Sequence, residues 1–203
     1  MKVLKIIRNI VLILLGLTIV ALVVYWFNFR KVEVKKEEKI LDNIKKFGYT
    51  LSDRKNDYYK SEFQNLKKAL DRDTVDYDLY AESLTKLFIS DLFTINDKVS
   101  TGDVGGAQLV YEPYKSAFIS YAKDSLYSGV LNNADGKRNQ ALPTVKNVEI
   151  TNKTQDKFKY AGTDYDSYVL TGTIEYTEDM GYQSEFKLTL IKVEDKLFVA
   201  KLG

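Results

Sequence analysis

A chain of 203 residues, 45% hydrophobic and 29% charged, leaves room for one globular domain of ordinary size beside a short additional segment. It has neither cysteine nor histidine, which excludes disulfide frameworks, zinc sites built on those ligands, Ser-His-Asp triads, Cys-His dyads and haem held by histidine. The formal net charge is +2, and once Lys2, Lys5 and Arg8 are set aside, 27 basic residues face 28 acidic ones, a net −1 from Arg30 onward; that balance lacks the basic excess a nucleic-acid partner requires.

The first element in chain order is an uncharged apolar run from Ile10 to Phe29. Its length of about 20 residues matches a helix crossing about 30 Å of hydrocarbon. Tyr25, Trp26 and Phe27 stand together at its C-terminal end, where amphipathic rings favour the headgroup region. A cleaved signal peptide would have a shorter apolar core and small residues where these three aromatics stand, so a retained anchor is expected. Residues 1–9 then form a cytoplasmic tail. The short basic tail abutting the apolar run has the pattern of a signal-anchor and places the remaining domain outside, although Arg30, Lys31, Lys35, Lys36 and Lys39 make the far flank basic as well.

Residues 30–56 read as a juxtamembrane stalk and linker. Ile40, Leu41, Ile44 and Phe47 recur at helical spacing and Gly48 follows as a C-terminal cap. A globular domain is expected over 57–203. Its first helix runs from Asp57 to Leu70 with Tyr59, Phe63, Leu66 and Leu70 on one face. The second starts at 74–76, with Asp76 and Asp78 at its positive end, and carries Tyr80, Leu84, Leu87, Phe88, Leu92 and Ile95. A third, with Pro113 in its first turn, is expected to reach Val130 and to turn Tyr114, Phe118, Tyr121, Ala122 and Leu126 to the core. Asn132 to Pro143 is a loop.

Beyond Pro143 the period becomes two, through Val145, Val148 and Ile150, then Tyr168, Leu170, Ile174 and Tyr176, then Phe186, Leu188 and Leu190, then Leu197 and Val199. Short turn signals separate these runs, so the sheet is antiparallel and the domain is α+β.

Helices followed by a long antiparallel meander resemble the element order of the cone-shaped fold named for nuclear transport factor two. With a short tail and one anchor, the chain looks like the bitopic assembly subunits of type IV secretion and conjugation systems. The resemblance covers Asp57 to Leu202 and is one of element order, without motif residues. It implies a strongly curved sheet and an assembly role, and carries over no functional residue.

Two stretches suggest chemistry. Ser100-Thr-Gly-Asp-Val-Gly-Gly106 could aim backbone N–H groups at an anion, but Ala107-Gln108 stands where a phosphate-binding loop needs Lys-Ser/Thr; glycines permitting a turn between helices explain it more simply. Asp71, Asp73, Asp76 and Asp78, and Asp164 with Asp166, could offer oxygen ligands to calcium, yet the glycine and distal glutamate of a hand-type loop are missing. Asn152-Lys-Thr154 matches a glycosylation sequon. No catalytic, cofactor-binding or metal residue is assigned, and Tyr25, Trp26 and Phe27 are the membrane-interface residues. The expectation is a membrane-anchored, extracytoplasmic, non-catalytic interaction or assembly domain, with another membrane or surface protein, or a second copy of itself, as partner. The alternative is a ligand-binding module using a pocket in the sheet.

Overall fold

The computed structural model describes Gly16, residues 18–23, Tyr25 and residues 38–203. Two compact units divide the chain, Met1–Lys35 and Lys36–Gly203. In the first, the described residues are helical and exposed, Ile19, Val20, Leu22, Val23 and Tyr25 among them. Most of the expected anchor, including Trp26 and Phe27, lies outside the described residues. Among those described, no helix is long and apolar enough to cross a membrane.

The second unit opens with a β-hairpin, β1 (Ile40–Ile44) and β2 (Tyr49–Ser52), paired antiparallel. The stalk helix expected through Gly48 is therefore replaced by this hairpin from Ile40 onward. Gly48 does act as a cap, at φ 68°, but it closes a single 3-10 turn, Lys45–Phe47. Burial decides the outcome. Phe47, Tyr49 and Leu51 alternate into the core while Ile40 and Leu41 stay exposed, and tertiary packing of this kind overrides the helix propensity of a Lys/Glu-rich segment. The globular unit thus includes the hairpin instead of beginning at Asp57.

Helix α1 (Asp57–Leu70) starts at Asn56, whose side chain accepts a hydrogen bond from the Tyr59 amide, and buries the expected Tyr59, Phe63, Leu66 and Leu70. Helix α2 (Tyr77–Phe93) is capped by Asp76, which accepts from the Leu79 amide, with Asp78 in the first turn. From Leu87 to Phe93 every residue of α2 is buried, as a helix enclosed on all sides must be. Helix α3 (Glu112–Asp124) has Pro113 in its first turn but stops six residues before Val130. The apolar spacing persists past its end because Tyr127 and Val130 still enter the core from two tight turns. Of the side chains expected to face inward, Ala122 is buried, Tyr114, Phe118 and Leu126 are half-buried, and Tyr121 is 76% exposed.

Strands β3 (Val145–Tyr160), β4 (Thr163–Tyr176), β5 (Glu185–Val193) and β6 (Lys196–Leu202) form an antiparallel meander in sequence order. Ala161 and Gly162, both at positive φ, make the two-residue turn of the β3–β4 hairpin. One face of the sheet carries Val148, Tyr168, Leu170, Ile174, Phe186, Leu188, Leu190 and Val199 into the core beneath the helices. Gly172 is required on that face: a Cβ there would lie 2.8 Å from the ring of Phe186, its partner across the strands, and 2.0 Å from the Glu149 carbonyl. Bulges interrupt β3 twice and the β5–β6 pairing once, and bulges bend strands. On the β6 edge, Val110 makes a parallel bridge to Val199, and the Tyr111 amide donates to the Val199 carbonyl at 2.9 Å.

Candidate functional site

The densest charge in the domain is buried. Asp91, 5% exposed on α2, accepts on Oδ1 from Lys55 at 2.6 Å and Lys98 at 2.8 Å, and on Oδ2 from the Gly106 amide at 2.8 Å. Lys98, 2% exposed, reaches Asp97 at 2.5 Å as well. Burial alone would push the Asp91 carboxyl up, but the two ammonium groups outweigh it and hold the group well below the ordinary carboxylate range. Burial disfavours the Lys98 cation too, and Asp91 with Asp97 more than reverses this, so its pKa is raised. The Asp97 carboxyl is raised by its own burial, only partly offset by Lys98.

This cluster explains the glycine-rich stretch. One of its amides, that of Gly106, does face an anion, the carboxylate of Asp91. A Cβ at Gly105 would fall 2.0 Å from the Asp91 carbonyl oxygen, and one at Gly106 would fall 2.7 Å from the Phe88 ring. Gly105 donates to the Tyr127 hydroxyl at 3.2 Å, which donates in turn to the Leu92 carbonyl at 2.6 Å. Asp103 takes Arg54 at 2.7 Å and the Val99 amide at 3.0 Å. With both Asp91 oxygens occupied and each ammonium paired, the arrangement is a clasp that fastens residues 97–106 to α2.

A second polar knot joins the opening hairpin to the sheet. The hydroxyls of Tyr49 and Tyr80 lie 2.5 Å apart; Tyr49 donates to the Leu197 carbonyl and Tyr80 accepts from the Leu197 amide, both at 3.1 Å. Burial pushes both phenols up, Tyr80 to about 12.

The acids considered for calcium are spread out. Asp76 caps α2 and meets Arg72 at 3.1 Å, Asp78 stands 3.5 Å from Lys153, and Asp166 pairs with Lys157 beside the β3–β4 turn. Among the described residues no three acidic side chains converge as a metal-ligand set. Asn152 and Thr154 lie on β3.

The outward face of the sheet carries what the alternation left unassigned. Tyr165, Ser167 and Val169 of β4 point away from the core, in register with Phe158, Asp156 and Thr154 of β3. Ile191 and Thr189 of β5, with Phe198 and Lys201 of β6, continue that face. Tyr111 reaches across it from the β6 edge. Its ring lies 5.7 Å from Phe198, 6.0 Å from Tyr165 and 6.4 Å from Tyr160, and the Tyr114 ring lies 4.5 Å from that of Tyr160, tilted to it by 58°. The Tyr111 and Tyr165 hydroxyls are 3.4 Å apart. Contact between the β6 edge and the tip of the β3–β4 hairpin requires the sheet to roll over this face. The five rings, all half-buried, form an aromatic ridge. Beside it lies a cleft of about 230 Å³, lined by Asp156, Phe158, Ser167, Lys187, Thr189 and Lys201 among others. Two-residue spacing of Phe158 with Tyr160, and Tyr165 in antiphase to Tyr168, is the sequence trace of this surface. Tyr111, which completes it, comes from a loop that no periodicity marks.

Comparison of the chain with family models, with curated proteins and with solved structures finds no match.

Proposed function

We propose that this chain is a single-span, membrane-tethered, non-catalytic binding domain, displayed on the outer side of the membrane, that takes a protein partner on the rolled outward face of its sheet. The aromatic ridge carries the reading. Tyrosines present large, stiff apolar area with a hydroxyl at the rim, the combination favoured at protein interfaces. Five contiguous half-exposed rings on one face suit a protein segment that lays apolar side chains against ring faces and backbone groups against the hydroxyls. Supporting the tether, the described residues of the first unit from 18 to 23 are helical and expose Ile19, Val20, Leu22 and Val23 in succession, and a helix apolar all round needs an apolar surrounding. The paired state of the buried charges supports a non-catalytic role.

In its narrower form the proposal is a subunit of a secretion or conjugation assembly, supported by the order of helices and meander. The second reading, a ligand pocket in the sheet, finds no support between sheet and helices, where Tyr49, Tyr59, Phe63, Tyr80, Phe88 and Tyr127 are fully buried; its support lies on the outward face.

Two measurements test the proposal. A Lys137→Cys variant, in an exposed loop of a cysteine-free chain, should react with a membrane-impermeant maleimide in intact cells; labelling only after lysis would refute display outside. A photo-crosslinking residue at Tyr165 should capture one discrete protein in those cells, and the same residue at Gln64 on α1 should not. Equal capture at both positions, or none at Tyr165, would refute the ridge as the binding surface.

A further inference from the structure

One end of the aromatic ridge carries a cation without a counter-charge. Lys196, half-buried at the start of β6, donates to the Phe47 carbonyl at 2.6 Å. Its ammonium also stands 4.5 Å from the centre of the Tyr49 ring and 4.9 Å from that of Phe198. No carboxylate among the described residues pairs with it, and both burial and the nearby Lys115 ammonium lower its pKa. A partly desolvated cation beside a like charge gains from an added anion, and Lys196 keeps two N–H donors for one. Phe198 joins it to the ridge, lying 5.7 Å from Tyr111, which lies 6.4 Å from Tyr160. Cation and rings thus form one continuous strip.

The strip selects among the ways a protein segment can dock. A strand cannot add beside the rings, because the β6 edge is already taken at Val199 by Val110 and the Tyr111 amide. A helix keeps its carbonyls within its own ladder and leaves tyrosine hydroxyls without acceptors. A polyproline II segment has no internal hydrogen bonds, so its carbonyls accept from hydroxyls while its prolines lie on aromatic faces. Tyr111 stands at 86° to Tyr160 and 64° to Tyr165, so ring faces and edges alternate along the strip.

On the reading that the ridge takes a protein, we infer that its ligand is a short proline-rich segment with an acidic residue at the end seated on Lys196. From Lys196 through Phe198 and Tyr111 to Tyr160 the steps are 4.9, 5.7 and 6.4 Å. That path is at most about 17 Å, which five or six residues cover at about 3.1 Å each.

The test titrates the full chain in mild detergent with blocked hexapeptides and reads binding by calorimetry. Five prolines with a glutamate at either end are compared with the same peptides carrying glutamine, and with Gly/Ser peptides carrying the glutamate. One of the two glutamate orders should bind, fixing the direction of the segment. It should bind about tenfold more tightly than its glutamine counterpart, the worth of one charge-assisted hydrogen bond, and more tightly than its Gly/Ser counterpart. Lys196→Gln should abolish the advantage of glutamate over glutamine, Tyr160→Ala should weaken both peptides, and Lys123→Gln on α3 should change neither. Binding indifferent to peptide charge or to proline would overturn the inference. So would a glutamate preference that survives Lys196→Gln in a variant with the wild-type melting temperature. Failure of every peptide while a crosslinker at Tyr165 still captures one protein in cells would overturn this ligand and leave the ridge as the binding surface; failure of both would remove the ridge reading as well.

Discussion

Replacing Asp91 by Asn tests whether the buried clasp holds the domain together. The exchange keeps the shape and removes the charge that faces Lys55 at 2.6 Å and Lys98 at 2.8 Å, and it puts the Gly106 amide opposite either a neutral oxygen or an NH₂ group. Removing one partner of a buried ion pair costs about 3–5 kcal/mol because the other charge is left uncompensated. The lower end applies here, since Asp97 still neutralises Lys98 at 2.5 Å and Lys55 retains some access to water. A loss of about 3 kcal/mol in a domain of this size corresponds to a fall of roughly 6–12 °C in Tm. Thermal melts followed by near-ultraviolet circular dichroism would read it. The double variant Asp91→Asn, Lys98→Met should be markedly less destabilised than the sum of its singles, because it removes the stranded cation together with its partner. A drop below about 0.5 kcal/mol for the single variant, within the range of an ordinary surface change, would refute the clasp as a stabilising element.

Other outcomes follow from the same geometry. Asp91, held below its unfolded pKa, contributes stability that is present above about pH 4 and lost as pH falls through the lower folded value. Lys98, raised in the folded state, contributes stability that is complete below about pH 10 and lost as pH rises further. Urea midpoints should therefore show a plateau with losses at both ends, and Asp91→Asn should flatten the acid limb. Gly105→Ala forces a methyl to 2.0 Å from the Asp91 carbonyl and should cost about 3 kcal/mol or prevent folding, whereas Gly129→Ala, with open space around it, should leave the midpoint nearly unchanged. Tyr80→Phe strands the Leu197 amide and leaves Tyr49 one partner fewer, a loss of about 1–3 kcal/mol by denaturant titration.

Much of this architecture is written in local patterns. The Asp76 cap, the α1 stripe from Tyr59 to Leu70 and the shift to period two at Val145 depend only on neighbours in sequence, and each appears where the residues indicate. The hairpin at Ile40–Ser52 was illegible because Phe47, Tyr49 and Leu51 are too short a run to outweigh the helical spacing before them; only the core they enter decides between the two. The end of α3 was obscured for the related reason that core residues continue beyond it. The glycine loop reads locally as a turn between helices; that its Gly106 amide meets a carboxylate standing 15 positions earlier on a helix is a pairing that no local pattern encodes. The outward ridge draws on α3's approach, two strands of one hairpin and the last strand, so its parts look like ordinary alternation until the sheet rolls them together.

Strand β3 pairs along only one side among the described residues, and this has a consequence for how concentrated copies of the chain meet. An unpaired edge of 16 residues is a template on which a neighbouring copy could add its own strand. The first stretch is blocked, because the Tyr58 hydroxyl both accepts from the Val148 amide at 3.0 Å and meets the Val148 carbonyl at 3.3 Å, while Asn56 takes the Val145 carbonyl at 3.2 Å. Bulges between Val145 and Asn147 and between Ile150 and Asn152 break the ladder's register, and further along Lys153, Lys157 and Lys159 set cationic side chains on the strand. Copies at high concentration can thus collide edge to edge without stitching into a continuous sheet.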